Sequence, residues 1–134
     1  MKFEEKYFTK FHFTSGQVNN NFKNALRDLN IAKKDDILEV KFNYAFTALI
    51  KAGITLLSYH QIKLKSVPGH HIKIIEILGQ ILNDETIVDM GNIMRSKRNL
   101  DLYAGGIEIT EKECREYIDF VEKVLIRIQG IIMK

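Results

Sequence analysis

Cysteine and proline are nearly absent: Cys114 and Pro68 are the only examples in 134 residues. One thiol excludes an internal disulfide framework and any multi-thiolate metal site. The lack of proline leaves most of the chain free to be helical. No apolar run approaches a membrane span, and the first ten residues mix Lys, Glu and aromatics where a secretory signal has an apolar stretch. A cytoplasmic protein without membrane contact is therefore expected. The net charge of +3 is mild, enough for a local nucleic-acid patch and too little for a protein that coats DNA. Internal repeats and low-complexity tracts are missing. So are a phosphate-binding glycine loop, a His-Glu-x-x-His pattern and a Ser or Cys nucleophile on a turn that could expose it. No cofactor is implied.

What the chain does contain is helical periodicity. Val18, Phe22, Ala25, Leu26 and Leu29 mark one face over 17–30. Asp35 and Asp36 offer N-cap chemistry for a long helix ending near Tyr59, with small residues at Ala45, Ala48, Ala52 and Gly53 that would admit a close neighbour. A basic loop follows, and a third helix starts near His70. Asn83-Asp84 closes that helix and caps a fourth, from Glu85 to about Leu102, which Gly105-Gly106 ends. Thr110-x-x-Glu113 is a capping-box pattern before the last helix. That helix carries an unbroken stripe from Cys114 through Tyr117, Val121 and Leu125 to Ile128. Cys114 on this stripe reads as a buried small hydrophobe. The fold class expected is all-α, an antiparallel up-and-down bundle of four to five helices without a sheet. Residues 1–16 form an arm or short helix, and 17–134 form the bundle.

The candidate site is the stretch from Arg95 to Gly106, where Arg95, Lys97, Arg98, Asn99 and Tyr103 gather as a helical pattern runs into a glycine pair. Basic residues in a last turn also complement the helix dipole, so the stretch alone leaves both readings open. Connectivity favours a site. Short turns make neighbouring helices antiparallel, so the fourth helix returns to the end where the third begins, beside Lys63, Lys65, His70 and His71. That end is expected to lie by His60. Free amides at the start of the third helix would add to an anion site, suiting an RNA backbone or a nucleotide. Metal ligation is not expected of the histidines, because no carboxylate or thiol sits at ligand spacing beside them.

Three pieces, in order, resemble a HEPN domain (higher eukaryotes and prokaryotes nucleotide-binding). They are Phe42-Asn43-Tyr44-Ala45-Phe46 in the long Ala-rich helix, Pro68-Gly69-His70-His71, and Arg98-Asn99-x-x-x-Tyr103 before Gly105-Gly106 and the capped last helix. The similarity covers roughly 18–125. It implies a helical bundle, a homodimer, and in many members a minimal nucleotidyltransferase partner in a toxin–antitoxin pair. Ribonuclease members carry Arg, four residues, then His; here Arg98 and Asn99 match and Tyr103 stands at the His position. With an unperturbed pKa near 10 against about 6.5, Tyr is a poor acid or base at neutrality. The resemblance therefore implies binding of a nucleotide, RNA or a nucleotidyltransferase without efficient cleavage. The alternatives are a metal-independent ribonuclease toxin, with Arg98 and Tyr103 catalytic, and a non-enzymatic interaction module whose basic end is incidental.

Overall fold

A computed structural model describes residues 3–103 and 108–133, with only the backbone of 101–103. Five helices make an all-α bundle: α1 Ser15–Lys34, α2 Leu38–Tyr59, α3 His70–Ile81, α4 Glu85–Tyr103 and α5 Glu111–Ile132. The hydrophobic positions read from the sequence supply its core, with Phe42, Phe46, Leu49, Leu56, Ile74, Ile87 and Leu125 among the largest fully buried side chains. α2 is the central element. It packs against each of the other four helices, and Ala45, Ala48 and Ala52 are fully buried along it.

Local chemistry explains the boundaries. Thr14 and Gln17 cap α1 reciprocally: the Thr14 hydroxyl accepts from the Gln17 amide at 3.1 Å, and the Gln17 side chain accepts from the Thr14 amide at 2.8 Å. The helix thus begins at Ser15, ahead of the apolar periodicity. Thr110 and Glu113 form the capping box that their spacing predicts. The α1–α2 turn differs from expectation: Ile37 is the N-cap of α2 and lacks a side-chain cap bond, while Asp35 accepts from the Ile37 amide at 2.9 Å. At the α3–α4 turn Asp84 accepts from Thr86, and Arg127 of α5 reaches both the Asp84 carboxylate (2.7 Å) and the Leu82 carbonyl (2.6 Å). Elsewhere Asp28 is buried and pairs with Lys51 at 2.7 Å, a charge inside the α1–α2 contact.

The arm is not a helix, and the expectation of no sheet needs correction. Phe8–Lys10 (β1) pairs antiparallel with Ile62–Leu64 (β2), Thr9 opposite Lys63. Three residues are too few to show a period-two pattern in sequence; the pairing forms because Phe8 and Ile62 turn inward and are buried. Gln61 fastens this ribbon. Its amide side chain bonds both the amide (2.8 Å) and the carbonyl (3.0 Å) of Phe13, and its own backbone sits at φ +62°. Those bonds offset the cost of about 1–3 kcal/mol for a side-chain-bearing residue in the left-handed region.

Two glycines set the positions of α3 and α4. A Cβ on Gly53 would lie 2.7 Å from Ile74, and one on Gly91 would lie 2.7 Å from Ile75. The small residue at 53 thus admits a neighbouring helix as its sequence suggests. α3 and α4 form an antiparallel hairpin drawn tightly together. The hairpin does not begin at the His60 end of α2, where connectivity alone puts it. The segment after His60 turns back along α2 past Leu57 and Ile50, so His71 meets Phe46. At about 1.5 Å per residue that is roughly 20 Å from His60.

Candidate functional site

The start of α3 is built for polar contact. Gly69, at φ +82°, is its N-cap and supplies no side chain to accept from the first turn. The His70 amide donates to the Val67 carbonyl at 3.1 Å, and Lys73 donates to Gly69 at 3.2 Å. The intervening His71 and Ile72 amides lie at the positive end of the helix dipole. His70 Nδ1 is 2.8 Å from the Val67 carbonyl oxygen. A carbonyl only accepts, so Nδ1 carries a proton and the ring orientation is fixed.

The last turns of α4 face this point. Asn92, Arg95 and Asn99 are spaced three and four apart, which places them along one face of the helix. Arg95 and Asn99 join Gly69, His70, His71 and Ile72 around an open cleft of about 270 Å³. Among the described residues no carboxylate lines it. Arg95 Nε and Asn92 Oδ1 are buried and have no hydrogen-bond partner among the described residues. Leaving such a group unmade costs about 1–3 kcal/mol, and Arg95 is one of the residues that line the cleft.

Phe46 of α2 lies behind His71, outside the lining of the cleft. The His71 ring meets the Phe46 ring edge-on at 5.9 Å, and the Arg98 guanidinium lies 5.6 Å from the same centroid. His70 and His71 are themselves 4.3 Å apart, centroid to centroid. Burial first, then the charges of His70, Arg98 and Arg95, push the His71 pKa below its ordinary value of 6.5. A neutral imidazole thus stands beside two guanidinium groups at neutral pH.

The structure brings together His70, His71, Arg95 and Asn99 around the cleft, with Arg98 behind them over the Phe46 ring. Lys63 borders the adjoining apolar groove, which His70 and His71 share. Two lysines lie apart. Lys65 donates to the Glu5 carbonyl at 2.6 Å and lines a groove beneath the arm. Lys97 reaches Glu113 at 3.6 Å and ties α4 to the first turn of α5. The Tyr103 side chain and Gly105-Gly106 lie outside the described residues. Sequence reasoning named Phe46 within the resemblance and missed its contacts with His71 and Arg98; it also passed over Asn92, whose three-and-four spacing with Arg95 and Asn99 was the available signal.

Among the described residues no group of three His, Cys, Asp or Glu side chains could hold a metal, and no described helix is long and apolar enough to cross a membrane. Cys114 is buried with its thiol 3.9 Å from the Leu38 carbonyl, and burial pushes its pKa up. No family model matches the chain, and no curated protein or solved structure matches it.

Proposed function

We propose that this chain is a HEPN-type protein that binds a phosphodiester ligand, RNA or a nucleotide, in the cleft between the start of α3 and the last turns of α4. The observation that carries the reading is Arg95, which lines the cleft at the uncapped amino end of α3 with a buried Nε that has no partner, beside histidines and Asn99 and with no carboxylate among the described lining residues. In this reading the His71 and Ile72 amides and Arg95 donate to phosphate oxygens, Asn99 orients the ligand, and Arg98 adds positive potential from its place on Phe46. The resemblance brings two protein partners into the proposal, a second copy of the chain and a minimal nucleotidyltransferase. Exposed Ile93 and Leu100, seven residues apart on α4, support the first.

The test is salt-dependent binding to a single-stranded RNA, with duplex RNA and a mononucleotide in parallel. Each phosphate neutralised on a single strand contributes about −0.7 to the slope of log K against log salt. Arg95→Ala is expected to flatten the slope by about one such contact. Binding that Arg95→Ala leaves unchanged contradicts the proposal and favours an interaction module.

One observation favours ribonuclease activity as a second reading: the neutral His71 imidazole beside Arg95 and Arg98. In that reading His71 takes the proton of a ribose 2′-hydroxyl as the 2′-oxygen attacks phosphorus. The 5′-oxygen leaves, taking a proton from solvent, and Arg98 faces the charge on the phosphorane. Binding ranks first because Tyr103 stands at the position where ribonuclease relatives carry His. RNA cleavage by the purified protein that His71→Ala abolishes would reverse the ranking.

A further inference from the structure

Charge is distributed along this chain in a way that the cleft does not account for. Residues 6–27 and 40–75 contain nine of the twenty Lys and Arg, all four His and none of the seventeen carboxylates. The fold joins these two segments through the β1–β2 ribbon and the α1–α2 contact.

The ribbon's alternation sends Phe8 and Ile62 inward and leaves Thr9 and Lys63 facing outward, with Phe11 one residue past the end of β1. Phe11 is 44% exposed. The Lys63 ammonium sits 5.0 Å from its ring centroid, and Phe13 tilts against it at 4.8 Å. An exposed aromatic with a lysine held over it presents a π-face and a cation together.

The ribbon is continuous with the cleft at two places. The groove bounded by Phe13, Ile50, Leu57 and Lys63 also takes in His70 and His71. The Tyr7 ring is 4.0 Å from where a Cβ of Gly69 would stand, and Gly69 lines the cleft. From the cleft to Lys63 the lining groups are cationic, imidazole, neutral polar (Asn21, Ser66, Asn99) or apolar, and no carboxylate lies among the described ones.

We infer that the outer face of the ribbon is a second contact surface, on which Phe11 stacks an unpaired base of a single-stranded nucleic acid while Lys63 takes the neighbouring phosphate. The inference rests on the cleft being a phosphodiester site; it adds where the strand goes on leaving it. Stacking is tolerant of sequence and needs a base that is not already paired, so the surface selects single strands over duplexes. Charge complementarity and continuity with the cleft favour this occupant over an apolar protein helix, which would leave the lysine and histidines unpaired. When a base arrives, the ammonium moves off the ring to the phosphate, exchanging a weak solvent-exposed contact for a stronger one.

The experiment compares a labelled decauridylate with the dinucleotide UpU on the wild-type protein, Phe11→Leu and Arg95→Ala, each variant first matched in thermal melting. Leucine keeps the apolar contact with Phe13 and removes the π-face. Phe11→Leu is expected to weaken decauridylate binding about tenfold, within the fivefold to hundredfold range for one stacked base, and to leave UpU unchanged. Arg95→Ala is expected to weaken both. If Arg95→Ala weakens both and Phe11→Leu weakens neither, the ribbon surface is overturned and the cleft stands. If the wild type binds neither oligonucleotide, both are overturned. Equal binding of duplex and single-stranded RNA, or phosphatidylserine vesicles bound as tightly as decauridylate, would mark a generic basic face and overturn the stacking role.

Discussion

His71 of α3 packs edge-on against Phe46 of α2, 5.9 Å between ring centroids. This contact fixes where the polar groups of the chain assemble. Phe46 is 1% exposed, and burying such a side chain contributes about 1.5–3 kcal/mol. The ring against which His71 packs is therefore part of the core. Arg98 lies over the same ring, so one aromatic positions a cleft residue, His71, and a nearby guanidinium.

His71 makes stability depend on pH. Its folded-state pKa lies below the ordinary 6.5, so the unfolded chain binds this proton first as the solution is acidified. The contribution is fully present above about pH 6.5 and is lost as pH falls from there through the folded value. Thermal melting is expected to drop on acidification through this window, and His71→Gln is expected to flatten that part of the profile. An unchanged profile in the variant would remove His71 as the cause.

Gly91 and Gly130 are both helical glycines and should respond oppositely to alanine. A Cβ at Gly91 meets Ile75 at 2.7 Å, whereas one at Gly130 meets nothing within 4 Å. Gly91→Ala is expected to cost about 1–3 kcal/mol by overpacking the α3–α4 hairpin. Gly130→Ala is expected to gain about 0.5–1 kcal/mol through helix propensity. Urea denaturation of the two variants checks both signs, and a stable Gly91→Ala would mean that the hairpin is looser than described.

The fold was legible where one helix face repeats over many turns. Val121, Leu125 and Ile128 announce α5, and Thr110 with Glu113 announces its start. The β1–β2 ribbon was not legible, because its residues pair across more than fifty positions and each strand is three residues long. The gathering of His70, His71, Arg95 and Asn99 follows from the α3–α4 hairpin, which sequence connectivity supplies. Its location beside Phe46 does not, since the ten residues between α2 and α3 carry no long periodic pattern, and their course is held by β2 pairing with β1 and by Gln61 bonding to Phe13. Lys65 and Lys97 show the limit of reading charge by proximity in sequence: each is close to the site along the chain and engaged elsewhere.

Ile93 and Leu100 are 47% and 55% exposed on α4, the helix that carries Arg95 and Arg98. If a second copy docks there, the two clefts come near each other. Light scattering is expected to give a dimer for the wild-type protein and a monomer for Ile93→Glu with Leu100→Glu. A dimer that survives both substitutions would place the interface on another face.

Arg98→Ala should separate packing from binding. Removing the guanidinium from Phe46 is expected to cost about 0.5–1 kcal/mol, the scale of an exposed cation–π contact, while RNA or nucleotide affinity falls by more than that loss explains. A variant that fails to fold would make Arg98 a structural residue and exclude it from the site.

The most direct measurement is an amide and guanidinium NMR titration of the protein with UpU. The account predicts that the His71 and Ile72 backbone amides and Arg95 Nε–H shift together, saturably, because one phosphate accepts from all three. Saturable shifts that leave those signals in place and fall on another surface, such as the one formed by Arg27, Asn30 and Lys34, would contradict it.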